Sequence, residues 1–456
     1  MKHYHQPVQD RKEEFLLKLN DLLRFPSVSA DPAFDKDLRA CADWLDRYLS
    51  GLGAKVHQIT QYGRPVVFAE FTASPDKPTV LLYGHYDVQP AGDRGLWVQD
   101  PFDPLVRDRK LIARGSADNK GPFMVYLAAL ELMLKNGPLP LNVKIVLEGE
   151  EESTGKALFD FVEKQTDRLK CDLVISTDAG GFAPGRPAIT YGTRGIVYKQ
   201  IDVYGPKQDL HSGSFGGPVP NPANALVQIL AALLGVDGHI QIPGVYDRVR
   251  AIDPKERKAL RDLEFDAEVY CQSLGISQVV CEPDVSVYEQ LWCRPNLTVN
   301  GLISGYTGEG AKTVLPAKAS AKISLRLVPD QQPEEISALM DAHISRITPP
   351  GVRVEIKTLG LAEPFLGPRS GPGNDAARKA IEQAFGTKPA LVREGGTLPI
   401  MSHFQKYLTD NILILGLTRP DSAAHGPNEY FHLDDFERGI EMSCLLFEQL
   451  AKKISR

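Results

Sequence analysis

The sequence predicts an α/β chain: a mostly parallel sheet with helices, into which a smaller α+β domain is inserted. Three observations carry that prediction. Residues 1–191 alternate helix-like and strand-like segments, so successive strands need crossover connections. From residue 192 to 361 the pattern changes, and Ala321 to Val328 alternates cleanly, with Ala321, Ile323, Leu325 and Leu327 on one face and Lys322, Ser324 and Arg326 on the other. That is a half-buried strand of an antiparallel or mixed sheet. Residues 362–456 then return to α/β form after a Gly/Pro-rich stretch, Glu363 to Gly373, which reads as a return linker.

The elements follow in order. Arg11 to Leu23 carries Phe15, Leu16, Leu19, Leu22 and Leu23 at helical spacing, with Pro26 beyond its end. Leu38 to Leu49 is a second amphipathic stretch. Val66–Phe71, Val80–Tyr83, Val143–Leu147 and Leu173–Ser176 read as strands, and Gly121–Leu134 as a buried helix between two of them. In the inserted domain, Val197–Val203 is a strand and Ala223–Leu234 an apolar helix. Asp253–Leu274 is a charged helical stretch, Glu334–Ile347 a helix and Val352–Leu359 a last strand. Helix Asp375–Phe385, strand Asn411–Leu417 and a final helix from Leu433 to Ile454 complete the chain.

Composition narrows the function. The 456 residues are long for one domain and sufficient for two, with 43% hydrophobic residues to fill the cores. The formal net charge is −6 and no basic block stands out, which argues against nucleic acid and anionic membranes as partners. The longest apolar run, Ala225 to Val236, is interrupted by Gln228 and too short to span a bilayer. Met1 to Gln6 lacks the apolar core of a signal peptide. The six cysteines never come closer than ten residues, which excludes CxxC zinc spacings and argues against a disulfide scaffold. Asn296-Leu297-Thr298 fits a glycosylation sequon and reads as a chance match. A soluble cytoplasmic protein is expected.

Ligand-type residues gather where strands end. His85-Tyr86-Asp87 follows Val80–Tyr83; Glu150-Glu151-Glu152 follows Val143–Leu147; Asp178 follows Leu173–Thr177; His425 comes soon after Asn411–Leu417. Asp118 opens the helix that begins near Gly121. Singly, each has an ordinary explanation: a carboxylate run is a solvated face, Asp118 a helix N-cap, His85 a core histidine, Asp178 a cap, His425 a surface residue. Together they fall at the sheet edge where ligands bind in open α/β folds. Two imidazoles and several carboxylates without a thiolate suit zinc, manganese or cobalt; calcium wants oxygen alone and structural zinc wants cysteine. Of adjacent glutamates, one can bind metal while its neighbour accepts a proton.

At these residues the chain resembles the dinuclear metallopeptidase family of carnosinase, cytosolic nonspecific dipeptidase, bacterial glutamate carboxypeptidase, aminoacylase, acetylornithine deacetylase and succinyl-diaminopimelate desuccinylase. The matching motifs are Tyr83 to Pro90, Arg114 to Gly121, Glu148 to Ser153 and Ala424-His425-Gly426. Tyr86, Gln89-Pro90 and Asp209 to Gly213 resemble the dipeptidase branch best. The resemblance implies two divalent metal ions per subunit, zinc first, with manganese or cobalt as alternatives. His85, Asp118 and Asp178 resemble the ligands of one, and Asp118, Glu152 and His425 those of the other, with Asp118 bridging. Glu151 resembles the general base, and Asp87 the carboxylate that orients His85. Within the glutamate run, the segment Ser153-Thr154-Gly155 selects Glu151 and Glu152 over Glu150 and Glu151; Thr154 stands where the family usually has glycine.

The resemblance further implies that residues 1–191 and 362–456 form the catalytic domain, and residues 192–361 a lid and dimerisation domain. His211 resembles a histidine that enters the partner subunit's site in a homodimer and stabilises the oxyanion; its plainer role is a turn cap. Arg326 resembles a clamp on the substrate carboxylate, or is a surface arginine. The Gly395-Gly396-Thr397 turn offers backbone N–H groups to the same carboxylate, or is simply a tight turn. The implied activity is hydrolysis of dipeptides or very short peptides. The alternative is an N-acyl amino acid deacylase, desuccinylase or carboxypeptidase using the same metal site. A non-catalytic scaffold should have lost a ligand or the base, and none is missing. A serine hydrolase finds no G-x-S-x-G elbow.

Overall fold

The computed structural model describes residues 4–454. Residues 1–3 and 455–456, and with them the start of the segment read for a signal peptide and both ends of the expected catalytic domain, lie outside the described residues. The chain divides into two compact units. One comprises Met1–Tyr191, Gly367–Val392 and Ile400–Arg456; the other Gly192–Leu366 and Arg393–Pro399.

The first unit is built on a mixed sheet. Its strands run in the order Lys55–Ile59, Val66–Phe71, Asn142–Glu148, Thr79–His85, Leu173–Ser176, Ile412–Gly416, Ala188–Thr193. The four central strands, 142–148, 79–85, 173–176 and 412–416, are mutually parallel. Flanking pairs are antiparallel. The α/β class therefore stands, with the parallel pairing concentrated at the centre. Lys55–Ile59 and Val66–Phe71 are joined by a connection too short for a crossover, which forces them antiparallel. All seven residues of Thr79–His85 are buried, which explains their continuous apolar run.

Helix Lys120–Lys135 is buried from Lys120 to Met133, as its all-round apolarity requires. Its Phe123, Leu127 and Leu130 share one core with Leu82 and Ile145 of the sheet and Leu446 and Leu450 of the last helix, Leu433–Lys453. Each such buried side chain contributes about 1.5–3 kcal/mol. Four C-terminal strand ends thus share one sheet edge over a rigid floor.

The second unit is an antiparallel sheet in the order Asn296–Ser304, Lys318–Leu327, Gly195–Tyr204, Arg353–Ala362. Its core joins Val197, Ile201, Ile323 and Leu325 to Leu226 and Ile229 of helix Pro222–Leu233 and to Ile336 and Met340 of helix Pro333–Ile347. The expected helical stretch Asp253–Leu274 is two helices, Pro254–Arg261 and Ala267–Leu274. Asp266 starts the second by accepting from the N–H groups of Glu268 and Val269, so the chain restarts there instead of continuing.

Candidate metal centre

The first unit brings all five expected ligands together. His85, Asp118 and Asp178 offer ligating atoms within 4.8 Å of one another, and so do Asp118, Glu152 and His425. Asp118 belongs to both groups. Its Oδ1 lies 3.0 Å from His85 Nε2 and its Oδ2 2.9 Å from His425 Nε2. One carboxylate therefore faces a different histidine with each oxygen, which is the arrangement a bridging ligand needs. His85 Nε2 is 3.6 Å from Asp178 Oδ2, and His425 Nε2 is 3.3 Å from Glu152 Oε1.

The local fold explains the convergence. His85 ends its strand, and Gly84 beneath it lets helix Lys120–Lys135 approach: a Cβ there would lie 2.8 Å from Phe123 Cβ. Gly149 plays the same part for the glutamate run, since a Cβ would come within 2.4 Å of the Tyr86 hydroxyl. That hydroxyl donates to the Pro65 carbonyl at 2.6 Å, fixing the ring. Asp118 does not cap its helix. The N-cap position is Asn119, without a side-chain cap, so the Asp118 carboxylate is left to the two histidines.

The three glutamates separate by environment. Glu150 Oε1 accepts from the Ala157 N–H at 2.6 Å, which commits it to helix Lys156–Lys164. Glu152 receives the Gln89 side-chain amide at 2.7 Å on Oε2, while its buried Oε1 faces His425 Nε2 at 3.3 Å. The Glu151 carboxylate accepts no hydrogen bond among the described residues. Burial pushes its pKa well above the usual carboxylate range; His85 opposes this, and Asp178, Glu152 and Glu148 add to it.

Asp87 is fully buried. Its carbonyl oxygen lies 3.0 Å from His85 Nδ1 and its carboxylate 3.5 Å from the same atom. That carboxylate also accepts from the N–H groups of Glu151, at 3.2 Å, and Glu152, at 3.0 Å. One side chain thus holds the histidine and the glutamate run in register.

Two residues frame the centre: Glu429, which sequence reasoning missed, and Arg114, which it quoted in a motif without a role. Glu429 is buried and collects the N–H groups of Gly115, Ala117 and Asp118 together with the Arg114 guanidinium at 2.6 Å. Arg114 also donates to the carbonyls of Pro90 and His425. Together they tie the Asp118 loop to the His425 loop. Glu429 lies four positions after His425, and that proximity was the only signal available.

The donor set fits divalent cations. Burial would lower the His85 pKa, but the carboxylates of Asp178, Asp118 and Asp87 outweigh it and hold it well above normal. Donation to the Asp118 and Glu152 carboxylates pushes that of His425 up to about 10. Burial raises that of Asp178. Buried carboxylates of Asp118, Asp178 and Glu152 crowd around two imidazoles, a local deficit of positive charge. Divalent ions supply that charge and let both histidines bind as neutral ligands.

The remaining expected residues lie in the second unit. His211 is exposed, and its Nδ1 accepts from the N–H groups of Gly213 and Ser214 at 3.1 and 3.2 Å. The turn cap is real, and it assigns the ring proton to Nε2, which is left free to donate. Arg326 Nη1 donates to Thr397 Oγ1 at 2.5 Å. The N–H groups of Gly395, Gly396 and Thr397 donate to nothing among the described residues.

The chain matches Peptidase family M20/M25/M40 over residues 81–449. It is 32% identical to the Cys-Gly metallodipeptidase dug1 of Schizosaccharomyces pombe, covering 98% of each chain. The solved structure of human carnosine dipeptidase 1 superimposes with a TM-score of 0.86 at 31% identity, covering 98% of each. An M20 family metallo-carboxypeptidase from Sulfolobus solfataricus gives 0.88 at 31% identity, over 96% of this chain and 99% of that one. The chain belongs to Peptidase family M20/M25/M40.

Proposed function

We propose that this member of the M20/M25/M40 peptidases is a metal-dependent dipeptidase, hydrolysing the peptide bond of dipeptides or very short peptides. One observation carries the reading: two ligand triads share Asp118, and beside them Glu151 has an uncommitted carboxylate. The dipeptidase relatives give the substrate class. His85, Asp118 and Asp178 hold one ion; Asp118, Glu152 and His425 the other. Ions held there supply Lewis acidity and lower the pKa of water toward ~7. Zinc is the first assignment and manganese or cobalt the alternatives, since mixed N/O ligands accept several ions.

Glu151 takes the proton of the attacking water and returns it to the leaving amine. Its buried, uncommitted carboxylate suits both transfers. His211, through Nε2–H, stabilises the oxyanion in the partner subunit of a homodimer. Arg326 and the N–H groups of Gly395, Gly396 and Thr397 hold the substrate carboxylate and so limit substrate length. Residues 1–191 and 362–456 serve as the catalytic domain and residues 192–361 as lid and dimerisation domain. The exposed edge strand Asn296–Ser304, with Leu302 57% and Ile303 64% exposed, supports pairing with a second copy. Six unpaired cysteines support a cytoplasmic setting. Among the described residues no helix is long and apolar enough to cross a membrane.

The second reading is a deacylase, desuccinylase or carboxypeptidase, favoured by the likeness to the metallo-carboxypeptidase. A panel decides: enzyme stripped of metal and reloaded with zinc, manganese or cobalt is given dipeptides, N-acetyl and N-succinyl amino acids. Dipeptides should be turned over fastest. Hydrolysis of N-acyl amino acids with dipeptides untouched overturns the dipeptidase reading.

A further inference from the structure

The second unit holds a guanidinium that the mechanism above does not use. Arg194 is 7% exposed. Its Nε donates to the Gly395 carbonyl at 2.7 Å, and its backbone N–H to the Gly396 carbonyl at 2.9 Å. Its Nη2 lies 3.3 Å from where a Cβ on Gly395 would stand, so the fork lies against the turn. Nη1 is buried and has no hydrogen-bond partner. Arg194 makes no ion pair among the described residues, and neither does Arg326, which reaches the same turn through Thr397.

Two partly or wholly buried guanidiniums on one turn, neither in an ion pair among the described residues, are costly. An unpaired buried charge is among the strongest local penalties in a fold. The cost is visible at Arg194, where burial and then the Arg326 charge, opposed by the Glu394 carboxylate, bring the pKa down to about 10, still cationic at neutral pH. An anion that binds between them relieves that cost. The partnerless N–H groups of the turn add donors for the same anion.

We propose that Arg194 is a specificity-determining residue: with Arg326 and the Gly395–Thr397 turn it forms a doubly cationic subsite for the free α-carboxylate of the substrate. The proposal rests on the hydrolase reading above, in which a substrate carboxylate is held here. A single arginine would tolerate a neutral C-terminal amide with modest loss. A subsite with two buried cations penalises the amide twice, by absent attraction and by charges left unpaired.

The test is a ratio. For metal-loaded wild type and Arg194→Met, kcat/KM is measured on a dipeptide and on the same dipeptide as its C-terminal amide. The preference for the free acid should fall on the order of 10- to 100-fold in the variant, the loss of one charge-assisted contact, mostly through KM of the free acid. An unchanged ratio, whatever the absolute loss, shows that Arg194 only braces the turn and overturns the proposal. Arg194→Lys, which keeps the charge and loses the Nε hydrogen bond, decides the matter if Arg194→Met does not fold: a smaller fall in the ratio supports the proposal, and an unchanged ratio overturns it. If wild type hydrolyses no dipeptide, the same ratio on an N-acyl amino acid and its amide separates failure of the dipeptidase reading from failure of this one.

Discussion

At the scale of single residues, neighbours in sequence have been given different tasks by different hydrogen bonds. Glu150 is spent on a helix N–H, Glu152 is aimed at His425, and Glu151 is left free. Glu151→Gln should therefore cost roughly 10²–10⁴ in turnover with metal content unchanged by mass spectrometry; wild-type turnover in that variant would remove Glu151 from the role of base. His85 and Asp87 divide labour in the same way. His85→Ala should lose about one equivalent of metal. Asp87→Ala should cut activity more than metal content, because its carboxylate holds the N–H groups of both Glu151 and Glu152 as well as facing His85. Equal losses of activity and metal in Asp87→Ala would show that it serves the ligand alone. The ligands were legible in the sequence because most stand just after an apolar strand and Asp118 opens the buried helix. Glu429 and Arg194 were not. They act on backbone groups brought near by the fold, 312 and 201 positions away for Ala117 and Gly395, and such contacts leave no local pattern.

At the scale of elements, the buried strands of the first unit were readable, whereas the edge strand Asn296–Ser304 was not. Val80–Tyr83 is a continuous apolar run because both faces of its strand, Thr79–His85, are covered. Asn296–Ser304 has one buried residue in nine, so it carries no alternation to read. The helices of the first unit are joined by more than apolar contact. Glu131, on Lys120–Lys135, is 3% exposed and accepts from Arg11, from Lys18 on helix Lys12–Leu23 and from Tyr48 on helix Asp35–Gly51. Glu131→Ala should destabilise the protein by about 2–3 kcal/mol in urea unfolding, below the cost of a wholly buried broken pair because Arg11 and Lys18 keep some contact with water. The pH dependence has a definite sign. Burial would raise the Glu131 pKa, but Lys18, Tyr48 and Arg11 outweigh it and hold it below the ordinary value. Its stabilisation is therefore complete above the unfolded carboxylate pKa and is lost as pH falls through the lower folded value. Wild type should lose its stability advantage over Glu131→Ala on acidification; an advantage that survives at low pH would mean that packing, not charge, holds these helices.

At the scale of the whole molecule, the proposed chemistry is divided between two copies of the chain. The base and the metal ligands lie in one compact unit, His211 in the other, and the proposed homodimer has each His211 serving its partner. His211 is suited to act across an interface. It is exposed, its ring is held by two backbone N–H groups, and its donor nitrogen is free. This division makes a prediction that no single-chain site makes. Glu151→Gln and His211→Ala should each be nearly inactive alone. Mixed in equal amounts and allowed to exchange subunits, half the dimers become hybrids. In each hybrid one site has lost both groups and the other has kept both, so about one quarter of all sites regain full function. Activity should return toward that fraction at the rate of subunit exchange, and should not return if exchange is blocked by covalent cross-linking before mixing. Were each His211 to serve its own subunit, every hybrid site would lack one group and the mixture would stay as inactive as its components. Substituting Leu302 and Ile303 by lysine on the exposed edge strand should weaken the dimer. Light scattering should then show monomers that keep their metal and lose turnover together with dimerisation; fully active monomers would rule out a site shared between subunits.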